Sequence, residues 1–254
     1  MVPEPTVVLV TGANQGIGRG IAEALLARPN YVVIAAVRNL DTTLKEIRPA
    51  EHSKLLLVKI ENESSSDPAA AVQQIHAAGI ANIDLVIANA GICPTSAYLR
   101  VEDIQMEQLR SLFEVNTFSF VSLFQAVRPL LKATADRKGE SQAKLLVISS
   151  NAGQVVEMES LSQVMLASYG SSKVALNYLV RRVHFENQWL TAWVMNPGFV
   201  QTESGNATAK VFGMQEAPHT IDISVGGLLS KADSATRSNT SGKFFSFNGT
   251  EMLF

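Results

Sequence analysis

Tyr169 and Lys173 stand four residues apart in the run Tyr169-Gly170-Ser171-Ser172-Lys173. On a helix this spacing sets a phenol and an amine on one face, one turn from each other. A phenol with a pKa of about 10 is a poor acid or base at neutral pH, and an ammonium beside it would stabilise the phenolate and draw that value down. Such a pair can pass a proton to or from an oxygen atom. Taken alone the spacing is common and describes a surface pair in most proteins, so its meaning depends on what stands around it.

A second constellation lies near the amino terminus. Thr11-Gly12-Ala13-Asn14-Gln15-Gly16-Ile17-Gly18 follows a short apolar run and opens directly into a helical pattern. Glycine is needed where the backbone must take positive φ or approach a pyrophosphate without a Cβ in the way, and a helix amino end offers free N–H groups and partial positive charge. Gly12, Gly16 and Gly18 suit those roles. Three glycines alone also describe a plain turn; the position after a first strand favours a phosphate cradle. The second strand ends in Ala35-Ala36-Val37-Arg38-Asn39. An acidic residue there would hold both hydroxyls of an NAD ribose. Arg38 is placed instead to fork onto a 2′-phosphate, which favours NADP(H); the alternative is an arginine that merely solvates a strand end.

The elements that must position these groups are read from short β-branched runs at 6–10, 31–37, 55–60, 83–88, 144–149, 190–195 and 243–247. Their hydrophobicity is nearly continuous, as expected of strands covered on both faces, and helix-length segments separate the first six. Apolar residues recur at helical spacing over 16–27, 68–78 and 168–186, and the stretch 105–133 reads as two successive helices meeting near Asn116. The expected fold is α/β: a single-domain Rossmann fold over 1–254, with a doubly wound parallel sheet of about seven strands flanked by helices. The least regular regions, 151–167 and 203–219, fall at strand carboxyl ends, where such a sheet binds ligands.

Composition narrows the function classes. The chain has 254 residues and 46% hydrophobic content, enough for one large core. A net charge of -2 offers no basic face for nucleic acid. No apolar run reaches membrane-spanning length, and the first residues carry no basic leader, so neither a membrane span nor a signal peptide is expected. The single cysteine, Cys93, excludes an intrachain disulfide and fits a reducing, cytoplasmic setting. Without an export signal, the Asn-x-Ser/Thr triplets at Asn62, Asn206, Asn239 and Asn248 read as chance matches. His52, His76, His184 and His219 are scattered without ligand spacing, and no metal is expected.

Together the motifs resemble the short-chain dehydrogenase/reductase family. Thr-Gly-x-x-x-Gly-x-Gly at 11–18, Asn89-Ala90-Gly91, Ser149-Ser150-Asn151-Ala152-Gly153, Tyr169-x-x-x-Lys173 and the Asn196-Pro197-Gly198 segment occur in that family's order and spacing along essentially the whole chain. The resemblance implies that Tyr169 donates a proton to a carbonyl oxygen, that Ser150 hydrogen-bonds that oxygen, and that Lys173 binds the nicotinamide ribose. Asn116 would hold a water that reconnects Lys173 to solvent. Ser150 is preferred over Ser149 because the family serine lies three residues before the glycine, here Gly153; Ser149 is then a strand-terminal serine satisfied by backbone. Cofactor contacts are implied from Gly12, Asn14, Gln15, Gly16, Ile17 and Gly18, from Arg38, Glu61 and Asn62, and from Asn89, Ala90 and Gly91. Pro197, Gly198, Val200 and Thr202 would complete them, with Tyr169 and Lys173 shared.

Three features depart from the family pattern. Glu61 stands where an aspartate usually holds the adenine amino group, and Gln15 replaces a basic residue found in many NADP-preferring members. The interval from Ser150 to Tyr169 is longer than usual, and its Met-rich insert at 155–165 either walls a substrate pocket or folds against the core. Within the family the chain resembles reductases of the fungal norsolorinic-acid ketoreductase and insect carbonyl-reductase kind. This implies reduction of a ketone, aldehyde or quinone carbonyl, an aromatic polyketide ketone among the candidates. An NAD-dependent alcohol dehydrogenase and a non-catalytic nucleotide-binding regulatory protein are the rival readings. Family members usually pair through helices here at 105–133 and 168–186, which implies a homodimer or homotetramer. Phe113, Phe118, Phe120 and Phe124 would serve either that interface or the core.

Overall fold

The computed structural model describes residues 4–254. Eight strands form one sheet in the order β3-β2-β1-β4-β5-β6-β7-β8. They are β1 (Thr6–Thr11), β2 (Tyr31–Val37), β3 (Lys54–Lys59), β4 (Leu85–Ala88), β5 (Lys144–Ile148), β6 (Thr191–Asn196), β7 (Phe244–Ser246) and β8 (Glu251–Met252). The first seven pair in parallel and only β8 runs antiparallel, against β7. The eighth strand is too short to show a period in the sequence. Strand order reverses between β1 and β4, and the crevice at their carboxyl ends is where an open α/β sheet offers a ligand site.

The near-continuous hydrophobicity of the strands has its cause in two cores. Val7 and Leu9 of β1 face one side, packed with Phe120, Leu123, Leu176 and Val180. Val8 and Val10 face the other, packed with Ile21, Leu25, Val225 and Leu228. The helices that supply these residues are α1 (Gly16–Leu26) and α7 (Ile221–Ser234) on the second face, and α4 (Ser119–Lys138) and α5 (Ala167–Glu186) on the first, where α2 (Asp67–Ala77) also lies. Each fully buried aliphatic side chain stabilises the fold by about 1.5–3 kcal/mol, which fixes both layers against the sheet.

Two features position the site directly. The junction expected near Asn116 is a π turn, Glu114–Phe118, between α3 (Met106–Phe113) and α4; it turns Val115, Asn116 and Thr117 inward. The region 203–219, read as irregular, begins instead with a helix, α6 (Glu203–Val211). Gly205 and Asn206 are weak helix formers and mask it in the sequence. The Thr202 hydroxyl caps it by accepting from the Gly205 N–H at 3.0 Å, and Glu203 complements the dipole of its first turn.

Candidate active site

The glycine turn lies at the reversal point of the sheet. Gly12 and Gly16 take left-handed φ values of +63° and +55°. A Cβ on Gly18 would stand 2.3 Å from the Gly12 carbonyl oxygen and 2.4 Å from Asn89 Nδ2, so the turn and the helix it opens can touch only through glycine. Asn89 and Thr11 lash the ends of β1 and β4 together. Asn89 Nδ2 donates to the Thr11 carbonyl at 2.9 Å, and Thr11 Oγ1 accepts from the Asn89 and Ala90 N–H groups at 3.0 and 3.1 Å. Gln15, at the helix cap, makes no side-chain capping bond to the first-turn amides of α1.

A cleft of about 680 Å³ runs from Arg38 and Glu61 past this turn to Phe212. All the residues expected to touch a cofactor line it except Gly18, which sits beneath the turn. Arg38 is exposed at the end of β2 and makes no ion pair among the described residues. Glu61 is partly spent on its own loop: Oε1 accepts from the Asn62 N–H at 3.0 Å, while its own N–H donates to Asp67 Oδ2 at 2.9 Å.

The proton-transfer groups converge at the carboxyl end of β5. Tyr169 lies in the first turn of α5 and Lys173 one turn on, with Nζ 5.8 Å from the centre of the tyrosine ring. Lys173 Nζ donates to the Ile148 carbonyl at 3.2 Å. The Ser150 hydroxyl stands beside the Tyr169 phenol, donates to Asn151 Oδ1 at 3.3 Å and accepts from the Ala152 N–H at 3.1 Å. Gly153 lets this loop rest on α5, because a Cβ there would stand 2.8 Å from Asn177 Nδ2 and 3.0 Å from Lys173 Cβ. Ser149 donates its N–H to the Met195 carbonyl at 2.8 Å, but its buried hydroxyl has no partner among the described residues. This corrects the expectation of a hydroxyl satisfied by backbone.

Electrostatics correct a second expectation. Tyr169 is partly open to the cleft, yet burial pushes its pKa well above the ordinary value; the nearby Cys93 adds to the rise and the Ser150 hydroxyl opposes it. Lys173 is buried, and its own pKa is lowered to about 8. The expected lowering of the tyrosine by the ammonium is therefore outweighed, because the same burial that raises the phenol also weakens the cation. Asn116 holds the neighbouring turn. Its Oδ1 accepts from the Ile92 N–H at 2.8 Å, and its Nδ2 donates to the Ile92 carbonyl at 3.0 Å and to Ser172 Oγ at 3.1 Å. Its side chain borders a small cavity of about 20 Å³ beside the cleft, not the cleft itself.

Beyond Tyr169 the cleft is walled by side chains that no motif marked. Tyr98 packs edge-on against Phe212 with ring centres 5.6 Å apart, and Phe199 meets the same ring at 6.5 Å. The Tyr98 hydroxyl donates to Thr208 Oγ1 at 2.9 Å and accepts from Cys93 Sγ at 3.6 Å. Of the insert at 155–165, Leu161 and Val164 face the cleft. Val155, Val156, Met158 and Met165 are exposed, so these large apolar residues are not folded against the core. Among the described residues there is no cluster of metal-ligating side chains, and no helix is long and apolar enough to cross a membrane.

The chain is similar in sequence and fold to known proteins. A family profile described as short chain dehydrogenase matches residues 6–211. The norsolorinic acid ketoreductase nor1 of Dothistroma septosporum is 40% identical over 243 residues, covering 94% of this chain and 88% of that protein. Among solved structures, the NADPH-bound carbonyl reductase from chicken fatty liver superposes with a TM-score of 0.85 at 28% identity, covering 99% of this chain and 100% of that one. The carbonyl reductase Sniffer of D. melanogaster matches in fold with a TM-score of 0.85 at 22% identity, covering 99% and 100%.

Proposed function

The chain belongs to the short-chain dehydrogenase family, and from that membership we propose that it is an NADPH-dependent carbonyl reductase whose proton donor is Tyr169. It is an oxidoreductase acting on carbonyl substrates. The observation that carries the finer reading is the meeting of Tyr169, Ser150 and Lys173 in the cleft that also holds the glycine turn and Arg38.

The cleft suits a dinucleotide. Its glycine turn excludes a Cβ at Gly18, the first-turn amides of α1 are free of side-chain capping, and no acid accompanies Arg38 where a 2′-phosphate would sit. Gly12, Gly16 and the amides of α1 would hold the pyrophosphate, Arg38 the 2′-phosphate, and Lys173 the nicotinamide ribose. When bound, the cofactor supplies a hydride to the carbonyl carbon. Negative charge then grows on the carbonyl oxygen, which Ser150 meets with a hydrogen bond and Tyr169 with a proton. Tyr169 is protonated at neutral pH, and although its raised pKa makes it a weaker acid than an ordinary phenol, the alkoxide formed by hydride transfer is a stronger base still and takes its proton. Asn116 acts as a positioning residue, tying the Ile92 turn to α5.

The ketoreductase relative and the apolar, aromatic wall of the cleft support a ring ketone as substrate, an aromatic polyketide ketone included. The single sheet supports one domain over the whole chain, and the lone cysteine supports a reducing, cytoplasmic setting. Exposed Phe118 in the π turn before α4 and exposed Tyr178 and Phe185 on α5 support a homodimer or homotetramer, with light scattering at the single-chain mass as the contrary result. Phe120 is buried in the core. The test of function is titration with NADPH and NADH followed by turnover on a ring ketone. Tight NADPH binding with ketone-dependent oxidation is expected. Preference for NADH would favour an alcohol dehydrogenase, and binding of neither would leave a non-catalytic protein.

A further inference from the structure

The cleft contains two paired hydroxyl centres, and the reaction uses one. Ser150 and Tyr169 address the reacting oxygen. Tyr98 and Thr208 form the other, joining the loop after β4 to α6 across 110 residues of sequence. Cys93 donates to Tyr98, and Tyr98 donates to Thr208. Burial pushes the pKa of Tyr98 up, so the phenol keeps a proton to donate at any ordinary pH. Phe212 holds the ring edge-on, which restricts its rotation. Thr208 therefore receives a hydrogen bond from Tyr98, and its own hydroxyl proton is given to no acceptor among the described residues although the side chain borders the cleft. A hydroxyl that accepts one hydrogen bond becomes a better donor of another.

We propose that Thr208, oriented and polarised by Tyr98, is a specificity-determining donor that holds a second oxygen of the substrate. The favoured substrates are then ring ketones carrying a further carbonyl or hydroxyl group, in preference to simple ketones of the same skeleton. This rests on the carbonyl-reductase reading and deepens it. The apolar wall named above, Phe199, Phe212, Leu161 and Val164, supplies area without direction, Ser204 donates to the Cys93 carbonyl and Asn151 accepts from Ser150, which leaves the Thr208 hydroxyl a directional group with its proton uncommitted.

The experiment compares 1-tetralone with 4-hydroxy-1-tetralone, which share a skeleton and differ in one oxygen. The NADP⁺-saturated protein is titrated calorimetrically with each, and kcat/KM is measured with NADPH. Wild type should prefer the hydroxylated compound in both. Thr208→Val should reduce that preference by about fivefold, the contribution of one hydrogen bond. Thr208→Ser should restore it, and Tyr98→Phe should reduce it by less. An equal fall for both compounds, or an unchanged preference in Thr208→Val, would overturn the proposal and leave Thr208 a tie between two loops. Binding of both compounds without any ketone-dependent NADPH oxidation would sink the reductase reading instead, while the calorimetric preference would still decide the role of Thr208.

Discussion

The two ends of the cleft are built from different materials. The cofactor end is made of backbone: left-handed turns at Gly12 and Gly16, uncapped amides of α1, and carbonyls pinned by Asn89. The substrate end is made of side chains brought in by three separate segments, with Tyr98 from the loop after β4, Leu161 and Val164 from the insert, and Phe212 from beyond α6. Backbone cannot be exchanged by substitution, whereas side chains can. The first end thus accepts few changes without losing the fold, and the second is free to vary in the ketone it admits. Tyr169, Ser150 and Lys173 stand between the two and must serve both.

The largest effect expected is at that boundary. Tyr169→Phe removes the acid and should lower kcat by about a thousandfold while NADPH affinity holds within a few fold. Tyr98→Phe removes the other phenol of the cleft and should leave most of kcat in place, since that hydroxyl faces Thr208 and Cys93 and has no lysine beside it. Stopped-flow turnover of both variants separates the two ends: comparable losses would mean that the acid had been assigned to the wrong wall.

Stability gives the next effect. Lys173 is held at a pKa of about 8 against an ordinary 10.5. In the folded chain it gives up its proton above pH 8, while the unfolded chain keeps one up to about pH 10.5, so stability rises with pH across that window. Below pH 8 its burial costs about 3 kcal/mol, from roughly 1.4 kcal/mol per pKa unit. Tyr169 has the opposite sign: its raised pKa makes a contribution that is fully present below pH 10 and is lost as the pH climbs further. Lys144 and Lys231, also lowered by burial, add the same sign between pH 8 and 10, and Cys93, raised by burial, the opposite, so the Lys173 share is read from the difference between wild type and a Lys173 variant. Lys173→Met should abolish activity and stabilise the chain at pH 7 by about 2 kcal/mol, once the lost hydrogen bond to Ile148 is discounted. Urea unfolding at pH 7 and pH 9.5 measures it. A difference between wild type and variant that is equal at both, or a variant less stable at pH 7, would show that the buried amine is better solvated than its surroundings indicate.

The same division decided what could be read from the sequence. Gly12, Gly16 and Gly18 were legible because one residue type alone permits the backbone they form, at short spacing. Tyr169 and Lys173 were legible because one helical turn joins them, and the strands because two cores make them apolar throughout. Helix α6 escaped because its capping threonine precedes two poor helix formers, and β8 because two residues carry no period. The Tyr98–Thr208 pair left no local signature, its partners being far apart in the chain. The direction of the Tyr169 shift was misjudged for a related reason. Spacing shows that a lysine is near, but how deeply both groups are buried is a property of the packed whole.

On the proposed reading Arg38 is the side chain with which the backbone-built end chooses between cofactors, so it offers the sharpest test of the division. Its guanidinium is exposed and makes no ion pair among the described residues, and Ala36 and Val37 before it carry no charge. A 2′-phosphate would gain charge-assisted hydrogen bonds there, whereas a 2′-hydroxyl would gain little. Arg38→Asp should weaken NADPH by about tenfold to a hundredfold and NADH far less, or even strengthen it, since a carboxylate at this strand end accepts from ribose hydroxyls. Parallel fluorescence titrations with both cofactors measure the effect. Equal weakening would place the phosphate elsewhere and show that selectivity, too, resides in the backbone; a clean switch would show that even the backbone-built cofactor end delegates its single choice to a replaceable side chain.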